Sequence, residues 1–68
     1  MDNNLFWGVF DGCMLVSHMF YSSSDCCSWV KCYYTYKEWQ DAELTVTQIS
    51  VDSHGSILEF TDQINPFD

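Results

Sequence analysis

The sequence predicts a mainly β fold, with α+β as its variant: a small antiparallel sheet of about five strands built from hairpins, and at most one short helix within residues 24–42. Three observations carry that expectation. Asp11-Gly12 separates two apolar runs, the strongest short-range hairpin signal, because both residues tolerate positive φ. Residues 43–51 and 56–61, on either side of Ser53-His54-Gly55, are rich in the β-branched and aromatic types that suit a pleated surface. The chain has 68 residues, 47% hydrophobic and 18% aromatic, too apolar for a disordered acidic tail and too short for more than one domain. Residues 1–68 are therefore read as one small domain, with 62–68 as a C-terminal tail.

Taken in order, Leu5 to Phe10 is almost wholly large and apolar, and the return run from Cys13 to Tyr21 holds Met14, Leu15, Val16, Met19 and Phe20. Both runs are apolar on both faces, which places them centrally, with a second layer or a second subunit over one face. Ser22-Ser23-Ser24-Asp25 is a break and a helix N-cap signal. Beyond it, a period of two puts Val30, Cys32, Tyr34 and Tyr36 on one face, whereas a period of 3.6 gathers Cys26, Trp29, Val30 and Tyr33. Val, Thr, Cys and Tyr are poor helix formers, so a strand is favoured, followed by a short helical turn at Lys37 to Ala42. Glu43 to Val51 reads as a strand in which Leu44 and Val46 oppose Ile49 and Val51 in phase, and a bulge near Thr47-Gln48 would return both pairs to one core. Ser53-His54-Gly55 is the next turn, and Ser56 to Thr61 the last strand, with Leu58 and Phe60 inward.

Charge is the strongest functional signal. Ten carboxylates oppose two lysines, a formal charge of −8. Residues 1–37 carry three acids and both lysines, whereas 38–68 carry Glu38, Asp41, Glu43, Asp52, Glu59, Asp62 and Asp68 with no base. Direct binding to nucleic acid or anionic lipid is disfavoured, because almost no cation is present to meet phosphate. A basic protein partner is favoured, because a one-signed field steers encounter. Solubility is the plainer account of the same charge. The acidic start and the absence of a long apolar run predict no membrane segment, a cytoplasmic location (host cytoplasm for a viral protein) and reduced thiols.

No motif predicts catalysis. Cys13, Cys26, Cys27 and Cys32 lack the two-residue knuckle that aims paired thiolates at zinc, so core thiols are favoured over ligands and no metal or cofactor is expected. Asp52-Ser53-His54-Gly55-Ser56 contains the residue types of a hydrolase triad, but contiguous turn residues do not align nucleophile and base, and the turn reading prevails. His18 fits a hydrogen-bonded histidine of the core or an interface better than a ligand. Asp41 and Glu43, the most closely spaced acid pair, are too few for an oxygen-ligand site. Asn65-Pro66-Phe67-Asp68 resembles the Asn-Pro-Phe tripeptide that EH-domain adaptors bind. The alternative is that Pro66 ends the last element and Phe67 packs on the core.

The expectation is a non-catalytic interaction protein. In size, acidity and lack of catalytic motifs it is similar to small phage-encoded anti-defence proteins, including anti-CRISPR and other DNA-mimic inhibitors. That resemblance implies a nuclease or nucleic-acid-binding complex as partner. Glu38, Asp41, Glu43, Asp52, Glu59 and Asp62 are the contact candidates, with Trp39 as the aromatic anchor. The alternatives are a homodimeric structural or assembly protein paired through the first hairpin, and, behind it, a metal- or ligand-binding module.

Overall fold

The computed structural model describes residues 4–68; the acidic start at Met1-Asp2-Asn3 lies outside them. The elements are β1 (Asn4–Asp11), β2 (Met14–Leu15), α1 (Ser23–Tyr33), α2 (Tyr36–Ala42), β3 (Thr45–Val51) and β4 (Ile57–Ile64). The four strands form one antiparallel sheet in the order β2-β1-β3-β4, a small mainly β fold with two short helices where one at most was expected.

The first hairpin forms, but its turn is displaced. Asp11 pairs with Met14, so the loop is Gly12-Cys13, and of these only Gly12 has positive φ (63°). That is the two-residue turn with glycine in its first central position. The return run is a strand for only two residues. Ser17 then interrupts the ladder by accepting the Val9 N–H on its hydroxyl (2.9 Å), and pairing resumes at a single bridge between Trp7 and Phe20. Among the described residues there is no fifth strand; β2 is a short edge, while β1 is central and paired on both sides.

Residues 23–33, read as loop then strand, are helical. Ser22 caps α1, its hydroxyl accepting the Asp25 N–H (3.1 Å), and the 3.6-residue stripe lays Cys26 and Val30, both fully buried, against the sheet. Burial of that stripe outweighs the weak intrinsic preference of Val, Cys and Tyr for strands. The helical turn expected at 37–42 is α2, fixed by a complete capping box between Thr35 and Glu38.

Apolar side chains occupy both faces of the sheet. On the helix side, Val9, Val46, Phe20, Cys26, Val30 and Trp39 form one cluster. On the other, Phe10, Ile49 and Val51 form a second with Phe6 and Leu15 packed against it. This resolves the phase change in β3 without a bulge there. Its register with β1 is unbroken over seven pairs, so Val46 faces one core and Ile49 and Val51 the other. The register shifts occur in β3–β4, where β4 carries the extra residues, Leu58 and Thr61. With β4 at the edge, Leu58 (51% exposed) and Phe60 (48%) are not inward as the alternation suggested.

β4 runs to Ile64, so the tail begins at Asn65. Pro66 is buried, the Asn65 carboxamide oxygen accepts the Phe67 N–H (3.0 Å), and Phe67 packs on the helix-side cluster beside Trp39 and Tyr36. The Asn-Pro-Phe tripeptide is thus folded back against the domain.

A candidate partner-binding groove beside strand β4

Three shallow cavities of about 290, 290 and 240 Å³ lie along the β3–β4 side. The first lies between Trp39, Leu44 and Asn65. The second is lined by Gly12, Cys13, Glu43, Thr45, Thr47, Phe60 and Gln63. The third shares Thr47, Phe60 and Gln63 with the second and adds Thr61 and Asp62. The last two thus form one groove with Phe60 common to both.

Local structure explains each wall. Thr45 and Thr47 alternate onto one face of β3 and join hydroxyl to hydroxyl at 3.0 Å; one proton makes that bond, so the other hydroxyl proton is not spent on it. Phe60 pairs with Ile49 across the ladder and meets the fully buried Phe10 edge-on, ring centroids 5.3 Å apart and planes at 83°. The ring is anchored on the second core while half the residue stays exposed. The extra residue at Thr61 is held by its hydroxyl, which donates to the Gln48 side-chain oxygen (2.9 Å). Asp62 accepts the Gln63 N–H on Oδ1 (2.8 Å), covering one donor of the open sheet edge.

Glu43 enters from the other side. It is the C-cap of α2 in the left-handed conformation (φ 55°, ψ 36°), the only non-glycine residue with positive φ among the described residues. Its N–H reaches the Gln40 carbonyl at 3.3 Å. Two local rules disfavour glutamate there: a Cβ in the left-handed region costs about 1–2 kcal/mol, and a carboxylate at a helix C-terminus opposes the helix dipole. The last turn of α2 carries no basic residue to offset it.

Of the seven contact residues expected from sequence, two line this groove, Glu43 and Asp62. Glu59 shares β4 with Asp62 but lies outside the cavities, and Asp41 is exposed on α2. Glu38 is committed to the capping box, Oε1 accepting the Thr35 N–H at 2.8 Å. Asp52 organises the β3–β4 turn, Oδ1 accepting the N–H of His54 (2.9 Å) and of Ser56 (3.0 Å). Trp39, the expected aromatic anchor, is 6% exposed and belongs to the helix-side core, because so short a helix is held by burying its tryptophan. Phe60, expected inward from the alternation, is half-exposed and is the aromatic that lines this groove. Its only sequence signal was the surplus of aromatics over what so small a core can hold.

Among the described residues, no three His, Cys, Asp or Glu side chains come together as a metal-binding group. Burial pushes the Cys26 thiol up to about 12 and raises that of Cys27, with Lys31 partly opposing, so neither is an activated thiolate. Cys13 and Cys32 are exposed. No helix of the described residues is long and apolar enough to cross a membrane. No protein-family model, curated protein or solved structure matches the chain.

Proposed function

We propose that the protein is a non-catalytic binding protein that docks the β4 side of its sheet onto a basic surface of another protein. The observation that carries this reading is the groove itself. Glu43 and Asp62, distant in sequence, line cavities that share a half-exposed, core-anchored Phe60, in a half of the chain with no lysine or arginine. A rigid aromatic flanked by acids is the composition of a contact centre for a cationic surface. The cavities are at or below the small end of ligand pockets, about 300–1,000 Å³, which suits protruding side chains better than a free substrate. The partner surface is one that otherwise binds nucleic acid, so that docking inhibits it, as with anti-defence proteins of the anti-CRISPR or DNA-mimic type. The protein acts in the cytoplasm, where its thiols stay reduced.

Tagged protein incubated with a bacterial lysate tests this at about 50 mM and about 500 mM salt, beside the double variant Glu43→Gln/Asp62→Asn. The expected result is a nucleic-acid-binding protein retained at low salt, released at high salt, retained more weakly with the variant and displaced by added DNA or RNA. Retention indifferent to salt and variant overturns the reading.

A second reading, self-assembly, is favoured by one observation: seven of the eight residues of β4 are exposed, Ile57, Leu58 and Phe60 among them. It moves the dimer contact from the first hairpin, whose open edge β2 is only two residues long, to the eight-residue edge strand β4. Sedimentation that shows a concentration-dependent dimer disrupted by Phe60→Ser supports it.

A further inference from the structure

The geometry points to a single arginine side chain of the partner as the occupant of the cavity between Glu43 and Phe60. This rests on the docking reading above and adds the chemistry of recognition. The cavity offers one carboxylate, one aromatic ring, the Thr45–Thr47 hydroxyl pair and the Gln63 amide. A guanidinium is planar, so it can lie against the half-exposed Phe60 ring while its edge meets the Glu43 carboxylate in a two-pronged contact. An ammonium can make the charge contact but not the stack. The chain's two lysines, Lys31 and Lys37, belong to α1 and α2 and do not line the cavity. Glu43 stands at a backbone position where glycine or asparagine would fit better. Such local conflict is more frequent at binding sites than elsewhere.

The test uses N-acetyl-arginine methylamide, with the lysine and norleucine analogues as comparisons, titrated to about 50 mM into the isotope-labelled protein and followed by NMR. The arginine probe is expected to give saturable shifts at Gly12, Thr47, Phe60 and Gln63. Glu43→Gln should weaken it about fivefold. Phe60→Leu, which keeps apolar volume, should do likewise, while Asp41→Asn, the same charge change outside the groove, leaves the affinity as it was. Glu43→Gly should lose the response while raising the thermal midpoint by roughly 4 °C, which separates binding from folding. An absent or unsaturable arginine response, an equal response to lysine or norleucine, or an equal loss with Asp41→Asn overturns the inference. Salt-sensitive capture of the basic partner would persist in that case, so its failure is distinct from that of the docking reading.

Discussion

Thr35 and Glu38 show how a residue pair can decide whether an element exists. α2 is only seven residues long, too short to be stable by propensity. Its first turn is secured when the Thr35 hydroxyl accepts the Glu38 N–H (3.2 Å) and the Glu38 carboxylate accepts the Thr35 N–H (2.8 Å). The backbone hydrogen bond from Thr35, then that from its side chain, hold the Glu38 carboxyl below the ordinary glutamate range. A depressed native value means that the stabilisation is present above the unfolded value and is lost as pH falls through the folded one. Thr35→Ala is expected to cost about 1 kcal/mol near neutral pH. Glu38→Ala lowers the urea midpoint at neutral pH, and its difference from the parent narrows as pH falls through and below the ordinary glutamate range. A difference that persists or widens there would show that the carboxylate is not what caps the helix. The same geometry explains why Glu38 suits a partner contact less than Glu43: its charge is already engaged.

At the scale of elements, β1 and β2 meet closely at Gly8. A Cβ there would lie 2.6 Å from Leu15 Cδ1, the end of a flexible side chain, and 3.3 Å from the Phe10 ring, so Leu15 would have to turn aside. Gly8→Ala is expected to destabilise by about 1 kcal/mol, the low end of an overpacking cost. In a Leu15→Ala background the added cost should be smaller, since the obstructing atom is gone; equal costs in both backgrounds would mean that the strain lies elsewhere. The Leu15 contact is not visible in the sequence, although the hairpin is, because Asp-Gly reports a turn and not its centre. β3 and β4 were legible from their alternation, and the phase conflict of Leu44 and Val46 with Ile49 and Val51 was a true signal read the wrong way. It marked a sheet with apolar clusters on both faces, not a bulge. α1 was hidden because its residues prefer strands in isolation, and only its capped stripe, Cys26 to Tyr33, pointed to a helix. In the groove, Glu43 and Asp62 were found by charge. Phe60 was not, because alternation cannot say that a strand lies at the edge.

For the whole molecule, the charge that suits a basic partner also strains the fold. A net −8 is spread over a body of 40 × 21 × 17 Å. These like charges repel across the surface in dilute salt, and the repulsion is screened as the Debye length falls from about 10 Å in 0.1 M salt to about 3 Å in 1 M. Raising salt therefore removes self-repulsion and should raise the thermal midpoint, while it weakens association with a cationic surface. The two responses run in opposite directions in one protein, which makes them separable. Glu43→Gln/Asp62→Asn removes two negative charges at the groove and leaves the other acids in place. Its thermal midpoint should keep most of its salt dependence, because repulsion is shared across the surface. Binding to a basic partner should lose most of its salt dependence, because contact is local. Calorimetric melting and binding isotherms for both proteins, across about 50–500 mM salt, read the two slopes side by side. Slopes that shrink together would mean that the acids act as one diffuse field, with solubility as their role. A binding slope that collapses alone would locate the function at the groove.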